Sequence, residues 1–438
     1  MPDRDMTTTV SLVEHPEAGA ANPACTAQPS MVVRAEQAIA AACAQLGRCL
    51  QQLGPHFPGD TSRGNYFAPA VWPEEPDGVN SSWTAGFWTG LLWMAHELSG
   101  EACFGTAAAA QLDGYSRRLA RRFVVDHHDL GFLFMPSCVA ALRQGPQPLA
   151  HATALQAAAL LMTRYLPRAG VVQAWGRLED PAQRGRIIID CLLNLPLLHW
   201  AAGQGGAAEM REAAISHAQR SREYLVRPDH SSFHTFHFDP ETGAPRHGTT
   251  AQGASDQSCW ARGQAWGLYG FALNHRWVPE QGFLQTACQL ADHFLALLPE
   301  HGIACWDMSF PPDAGEPWDS SASAIAACGL MDIAEQLPAA EAERAQAYRQ
   351  AADRILDGLL RHCAGWDAPG NALLRHGVYS KPDGLGVDEA SLWGDFFFLE
   401  ALARRARGWT PFWHPPAALN SNPISTLTPS PTPTPTPV

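Results

Sequence analysis

Residues 258–276 read SCWARGQAWGLYGFALNHR, a helix-length segment in which small and aromatic residues stand where surface helices carry charge. Three other segments share this nearly uncharged character, at 83–98, 182–202 and 319–336. Segments with a clear charged face alternate with them, at 102–124, 207–226 and 340–363. Because helices that are apolar nearly all round lie inside and helices with one wet face lie outside, the alternation predicts inner and outer helices.

The whole chain extends this pattern. Its 3.6-residue periodicity and Gly/Pro punctuation predict about twelve helices, at 34–53, 83–98, 102–124, 136–144, 149–165, 182–202, 207–226, 258–276, 282–299, 319–336, 340–363 and 389–407. Alternating strands are scarce, and HTFHF at 234–238 is one short candidate. Six inner/outer hairpins predict an all-α fold, a single (α/α)6 barrel.

No Pro/Gly-rich linker divides the series, so we expect one barrel domain over 31–415. An N-terminal segment over 1–30 and a Thr/Pro-rich tail over 416–438, which ends in TPSPTPTPTPV, are expected to be disordered.

Composition excludes several function classes. The 438 residues include 43 acidic and 30 basic side chains, a net charge of −13, which argues against binding nucleic acid or an anionic membrane. The first 30 residues lack an apolar signal region and no apolar run is long enough to span a bilayer, so we expect a cytoplasmic protein. The 11 cysteines form no C-x-x-C pair, which argues against a disulfide framework or a zinc knuckle.

Two W-x-x-G patterns, at 83–86 and 260–263, each open an inner segment. In a barrel of alternating hairpins all inner helices begin at the same end, so the polar clusters near 129, 190, 320 and 388–393 would face one mouth. Free N–H groups at inner-helix N-termini suit a small anion such as a carboxylate, which makes an acidic substrate plausible.

The strongest catalytic candidates are two carboxylates. Asp190 stands alone in the apolar run IIIDCLLNLPLLHW, where burial would raise its pKa toward that of a general acid. Asp129, in HHDLGF, could be the charged partner that separates the two pKa values. The structural alternatives are a buried Asp that caps a neighbouring backbone for Asp190, and an N-cap or loop ion pair for Asp129.

Other candidate residues also have more than one interpretation. The cluster His230, His234 and His237 could bind a metal, form an ordinary polar loop, or place His234 against a substrate. Arg262 could hold a carboxylate in a bidentate contact or form a buried Arg–Asp pair. Four tryptophans could be sugar-binding walls or core residues: Trp83, Trp175, Trp260 and Trp266.

Together these motifs resemble glycoside hydrolase family 88, the unsaturated glucuronyl hydrolases. The matching blocks occur in family order over roughly 34–408, and they are SSWTAGFWTGLLWMA, HDLGF, IIIDCLLNLPLLHWA, F-D-P-x-T-G at 238–243, DQSCWARGQAWGLYGF, DSSASAIAACGL and VDEASLWGDFFFLEAL. The resemblance implies an (α/α)6 barrel that hydrolyses unsaturated uronyl di- or oligosaccharides without metal or organic cofactor.

Carried over motif by motif, the resemblance implies that Asp190 is the acid/base and Asp129 its essential partner. The residues implied to contact the unsaturated sugar are Trp83, His128, Trp175, His234, Gln252, Trp260, Arg262, Trp266 and Tyr379. The chain departs from the family pattern at Ala251, where many relatives have His, and at His230, where Gly is common.

Three rival functions stay open at this point. They are hydrolysis of unsaturated rhamnogalacturonan fragments on the same fold, non-catalytic oligosaccharide binding, and an unrelated α/α-barrel isomerase. HDLGF favours glucuronyl hydrolysis. We expect a monomer or a weak homodimer.

Overall fold

Twelve α-helices build the described part of the chain, which comprises residues 29–70, 81–181 and 183–416 of a computed structural model. The inner helices are α2 (Ala85–Ser99), α4 (Leu130–Phe134), α6 (Pro196–Gly203), α8 (Ala261–Trp277), α10 (Ser320–Gln336) and α12 (Leu392–Arg407). The outer helices are α1 (Met31–Leu53), α3 (Ala102–Ala120), α5 (Pro148–Met162), α7 (Ala208–Tyr224), α9 (Phe283–Leu297) and α11 (Ala342–His362).

The inner helices form a closed ring. Each packs on the next inner helix, and α12 returns to α2. Each of the first five is covered by the outer helix that follows it in sequence, whereas α12 is covered by α1. The predicted (α/α)6 barrel is therefore confirmed.

Burial separates the two rings as the charge pattern predicts. Outer helix α1 buries one stripe that includes Ala35, Ile39, Ala42 and Leu46, at helical spacing. Inner helix α8 buries every residue from Ala261 to Asn274.

The helix predicted at 182–202 is wrong in its first half. Residues Arg186–Ile188 form a strand (β3), Ile189–Leu193 form a 3₁₀ turn, and α6 begins only at Pro196. The β-branched run Ile187–Ile189 favours a strand, and a proline fits the first turn of a helix but not its interior. The helix predicted at 136–144 begins earlier, at Leu130, and continues as a π-helical turn over Met135–Val139.

In the described ranges, seven short strands lie in the connections between helices. The remaining six are β1 (Tyr165–Leu166), β2 (Val171–Val172), β4 (Thr235–Phe238), β5 (Pro245–Thr249), β6 (Gly377–Ser380) and β7 (Leu385–Glu389). They pair antiparallel as β1-β2, β3-β4-β5 and β6-β7. The predicted strand at 234–238 is thus present as β4.

The segment that follows α12 closes one end of the barrel. Trp413 is fully buried and packs on Phe132, Phe396 and Phe397. Its indole Nε1 donates to Glu400 Oε2 at 3.0 Å. We call this the closed end, and the opposite end, where the inner helices begin, the open end.

None of the helices in the described ranges combines the length and hydropathy that crossing a bilayer requires. The predicted tails at 1–30 and 416–438 lie outside the described residues, apart from 29, 30 and 416.

Candidate active site

A cavity of about 480 Å³ lies at the open end of the barrel. All eleven residues proposed from the sequence line it, namely Trp83, His128, Asp129, Trp175, Asp190, His234, Gln252, Trp260, Arg262, Trp266 and Tyr379. The structure therefore brings together positions that are almost 300 residues apart in sequence. Their individual roles stay predictions.

Two inner elements carry the two carboxylates. Asp129 directly precedes α4, and Asp190 lies in the 3₁₀ turn before α6. Asn194 joins these elements, because its Oδ1 accepts from Phe132 N at 2.7 Å and its Nδ2 donates to Asp190 O at 3.3 Å. A Cβ at Gly131 would lie 2.3 Å from Asn194 Cα, so the glycine of HDLGF permits the close approach.

His128 lies between the carboxylates. Its Nε2 is 3.3 Å from Asp129 Oδ1 and 3.4 Å from Asp190 Oδ1. The His128 side chain is 2% exposed, and each carboxylate is 16% exposed. Asp190 Oδ1 is buried and accepts no hydrogen bond from the described residues. Asp129 caps no helix N–H with its side chain, so the N-cap alternative does not hold. The loop-contact alternative is present beside the catalytic one, because Asp129 Oδ2 lies 3.1 Å from His127 Nδ1.

The environment moves the two carboxyl pKa values in opposite directions. Burial, reinforced by the negative charge of Asp129, raises the pKa of Asp190 well above its ordinary value. Burial also favours the neutral form of Asp129, but the imidazoles of His128 and His127 outweigh it and lower the Asp129 pKa. Burial lowers the pKa of His128 to about 4. At neutral pH the arrangement favours one protonated and one ionised carboxyl group.

The loop before Asp129 is held by a buried arginine. Arg118, on α3, donates to Val124 O at 2.6 Å, to Ser81 O at 3.0 Å and to Ser82 O at 2.9 Å. Val124 has a φ of 44°, which is strained for a β-branched residue, and it lies at the cavity rim. Sequence analysis placed Arg118 on a wet outer face, so it missed this role.

Aromatic side chains form the cavity walls. Trp83 stacks on Trp393 with ring centroids 5.2 Å apart, and its Nε1 donates to Tyr379 Oη at 3.2 Å. Trp260 contacts His234 edge to face at 4.5 Å. Trp175 is 37% exposed, so it offers the most open aromatic face.

Arg262 forms its polar contacts with other residues of the protein. Its guanidinium pairs with Asp319 Oδ2 at 3.0 Å and donates to Gln252 Oε1 at 2.9 Å and to Tyr379 O at 2.7 Å. The guanidinium also lies over the Trp260 ring at 4.5 Å. The buried Arg–Asp pair is thus present, and Arg262 holds Gln252 at the cavity. A direct contact from Arg262 to a substrate carboxylate stays a prediction.

The three histidines at 230, 234 and 237 have separate partners. His234 Nδ1 accepts from Ala251 N at 2.8 Å, and His237 Nε2 lies 3.0 Å from Thr249 Oγ1. His230 has a φ of 66°, a left-handed conformation that glycine adopts without steric cost.

One set of potential metal ligands occurs among the described residues. The set consists of one donor atom from each of three residues, and these atoms lie within 4.8 Å of one another: His128, Asp129 and Asp190. An ion there would need Asp190 ionised, which its raised pKa disfavours.

Sequence analysis also missed two residues that shape the cavity. Asp60 lines it and accepts a hydrogen bond from Thr84 Oγ1 at 2.6 Å. Arg164 is buried and donates to Gly176 O at 2.8 Å, which fixes the backbone beside Trp175. No sequence signal marked Asp60, because it lies in an irregular stretch. Arg164 follows α5, and it binds the main-chain carbonyls of Gln173 and Gly176 and pairs with Asp126, none of which the sequence pattern marks.

Comparisons with known proteins agree with the geometry. The family model described as Glycosyl Hydrolase Family 88 matches residues 68–405. The chain is 43% identical over 380 residues to the unsaturated glucuronyl hydrolase of Bacillus sp. (strain GL1), covering 86% of this chain and 98% of that protein. It is 40% identical over 378 residues to the unsaturated chondroitin disaccharide hydrolase of Streptococcus pyogenes serotype M1, covering 86% and 92%.

Solved structures are similar over the same span. The crystal structure of the Bacillus sp. GL1 enzyme, described as responsible for the degradation of glycosaminoglycan, superposes with a TM-score of 0.82 and covers 87% of this chain and 99% of that one. A variant of the Streptococcus agalactiae enzyme complexed with dGlcA-GalNAc6S superposes with a TM-score of 0.76 at 36% identity and covers 87% and 94%.

Proposed function

This chain belongs to glycoside hydrolase family 88, and on that premise we propose that Asp190 and Asp129 release a 4,5-unsaturated glucuronic acid from the non-reducing end of oligosaccharides left by polysaccharide lyases. The chain is a glycoside hydrolase of the unsaturated glucuronyl hydrolase type. The relatives are glucuronyl and chondroitin disaccharide hydrolases, so the rhamnogalacturonan alternative has no support from them.

One observation carries the assignment of roles. His128 separates two carboxylates at 3.3 and 3.4 Å, and their pKa values move in opposite directions. A pair of titratable groups with separated pKa values is how an enzyme keeps one acid protonated beside one charged group at neutral pH.

The reaction uses the enol ether of the sugar rather than its anomeric carbon. Asp190 gives its proton to C4, which breaks the C4=C5 double bond and leaves positive charge at C5 and the ring oxygen. The Asp190 carboxylate then takes a proton from the water that attacks C5, which restores the acid. The hemiketal at C5 opens, and C1 releases the leaving sugar as an alcohol.

Asp129 acts on the acid and on the substrate. Burial and the negative charge of Asp129 raise the pKa of Asp190, so Asp190 is still protonated when the substrate binds. Asp129 also accepts hydrogen bonds from the ring hydroxyls. The aromatic walls formed by Trp83, Trp175 and Trp260 enclose the planar unsaturated ring.

No metal takes part in these steps. Asp190 must carry a proton in the first step, and a metal ion on the same oxygen would displace it. Dialysis against EDTA should therefore leave turnover unchanged, and a loss that Zn²⁺ or Mg²⁺ restores would contradict this proposal.

The experiment follows the near-ultraviolet absorbance of an unsaturated chondroitin or hyaluronan disaccharide. Wild-type protein should abolish the absorbance of the conjugated acid, and Asp190→Asn should not. Asp395→Asn is the matched control, since Asp395 is also buried with a pKa raised by burial to about 7, but it accepts from Leu373 N and Leu374 N away from the cavity. Normal turnover by folded Asp190→Asn would refute the assignment.

The same proposal covers the state of the protein in the cell. We propose a cytoplasmic monomer or weak homodimer with one catalytic domain over 31–415. Cell fractionation, light scattering at several protein concentrations, and limited proteolysis test these three points. Secretion, a stable higher oligomer, or a stable cut within 31–415 would contradict them.

A further inference from the structure

Arg186 lies just outside the candidate active site. It begins strand β3, and Ile188, two residues later, lines the cavity. Side chains two residues apart in a strand point to the same face, so Arg186 lies on the cavity side of the sheet, one step further out. Its guanidinium carbon is 4.8 Å from the ring centroid of Trp175, which is a cavity wall.

The charge of Arg186 is not compensated within the described residues. The side chain is partly buried, and it forms no hydrogen bond and no ion pair with any of them. Two neighbouring arginines differ in this respect, because Arg184 pairs with Glu241 at 2.7 Å and Arg246 pairs with Asp239 at 2.7 Å. Burial lowers the pKa of Arg186, and no acidic group offsets that effect.

Strand pairing places two histidines in line with Arg186, and we call these three residues the row. In the three-stranded sheet, Arg186 lies opposite His237, and His237 lies opposite His247. The two imidazole rings are stacked, with centroids 4.9 Å apart and planes 16° apart. The carboxylates near this row are Asp239, which Arg246 occupies, and Asp256, which accepts from Thr250 N. The row therefore offers the guanidinium N–H groups of Arg186 beside the cavity mouth, next to a His237 ring whose Nε2 already contacts Thr249 Oγ1.

We propose that Arg186, together with His237, forms an anion subsite for a carboxylate or sulfate group on a sugar beyond the scissile bond. This inference rests on the proposed function, which places the unsaturated sugar in the cavity and directs the rest of the oligosaccharide outward. A chain with a net charge of −13 repels acidic saccharides at long range, so a local guanidinium fork compensates where the leaving sugars lie.

The test compares three unsaturated substrates in wild type and Arg186→Gln: a disaccharide with a neutral second sugar, its sulfated form, and a tetrasaccharide with an internal uronate. We expect KM to rise about 5- to 20-fold for substrates with the extra anion, because a charged hydrogen bond is lost. For the neutral disaccharide, KM and kcat should stay within about twofold. A response to the sulfated disaccharide alone identifies a sulfate site, and a response to the tetrasaccharide alone identifies a carboxylate site.

Two further variants make the result specific. Arg211→Gln removes a paired cation on the outer helix α7, away from the row, so it should change no KM. Arg186→Lys keeps the charge but loses the planar fork, so it should restore part of the affinity. Raising the salt concentration should narrow the gap between wild type and Arg186→Gln.

Several results would overturn the inference. An equal rise in KM for the neutral disaccharide would mean that Arg186 only supports Trp175, and an unchanged KM for all three substrates would mean that the row binds no anion. Absence of wild-type turnover on the neutral disaccharide would instead count against the proposed function. In that case equilibrium binding of the sulfated and neutral disaccharides to both proteins still decides the subsite.

Discussion

The two ends of the barrel bury aspartates of the same kind and give them opposite protonation states. At the open end, Asp190 has an oxygen without a hydrogen-bond partner and a neighbouring negative charge, and its pKa is raised. At the closed end, Asp332 contacts Arg276 at 2.9 Å, Arg404 at 3.1 Å and His414 at 2.8 Å. Burial alone would raise the Asp332 pKa, but the contacts with His414 and the two guanidinium groups lower it.

The difference shows that burial does not decide the charge of a carboxyl group, since Asp332, which is completely buried, has the lowered pKa. Partners decide it. At the closed end, Asp332 is ionised and joins two arginines and a histidine. At the open end, one oxygen of Asp190 has no hydrogen-bond partner, and the group keeps its proton. Glu400 is intermediate, because burial raises its pKa to about 7 while both its oxygens are occupied, by Tyr269 Oη at 2.5 Å and Trp413 Nε1 at 3.0 Å.

The largest expected effect comes from removing the charge beside the acid. Asp129→Asn should lower kcat by about 10²- to 10⁴-fold, the range for loss of acid–base function. Since the charge of Asp129 raises the pKa of Asp190, the alkaline limb of the residual pH–rate profile should move to lower pH. Asp113→Asn, on the exposed outer face of α3, is the control for the same chemical change. An unmoved alkaline limb would mean that another group supplies the proton.

The matching change at the closed end should cost stability and spare activity. Asp332→Asn leaves Arg276, Arg404 and His414 without their shared carboxylate, and breaking a buried ion pair costs about 3–5 kcal/mol. Denaturant unfolding measures the loss, and kcat of the folded fraction should stay within about twofold. A loss below about 1 kcal/mol would contradict the contrast between the ends.

A smaller effect should appear at the open end as a gain in stability. The folded chain keeps the Asp190 proton above the ordinary carboxyl pKa of 3.8, so wild type loses stability as the pH rises from that value through the raised pKa. Asp190→Asn removes the titration. Its Tm should exceed that of wild type at pH 8 and approach it near pH 4, which thermal scans at both pH values would check. A higher wild-type Tm at pH 8 would show that Asp190 is ionised without penalty.

The smallest effect tests backbone strain away from both carboxylates. His230 has a φ of 66°, where glycine is free of the steric cost that other residues incur. His230→Gly should stabilise the protein by about 0.5–1 kcal/mol, because the relief exceeds the added entropy of the unfolded chain. The His230 main-chain carbonyl would still accept from Gln264 Nε2, so turnover should not change. Destabilisation in chemical unfolding would mean that the imidazole makes a compensating contact.

The ring was predictable because four inner segments are nearly uncharged and alternate with segments that carry a charged face. It misassigned 182–202 because a continuous apolar run of isoleucine and leucine does not distinguish a buried strand from a buried helix. The structure shows that the break at β3 matters, since it turns Asp190 toward the cavity immediately before α6.

Within the site, too, the sequence marks some residues and not others. Asp190 was found because a lone carboxylate in an apolar run is conspicuous. Arg118 and Arg164 were missed because most of their hydrogen bonds go to main-chain carbonyls, which the sequence does not mark. Arg164 also pairs with Asp126, but nothing in the sequence relates these two residues. Asn194 was missed for a similar reason, since its partners are the backbone of Phe132 and Asp190.

The pairing of α1 with α12 has a consequence for how the chain reaches its fold. Five hairpins form between neighbours in sequence, but the sixth joins the first helix to the last across more than 330 residues. Contacts of such long separation close large loops and form late. A nascent chain would thus carry an unclosed ring until α12 has left the ribosome. A circular permutant that links α12 to α1 and opens the chain between α7 and β4 would make the closing hairpin local, and it should refold faster than the natural order.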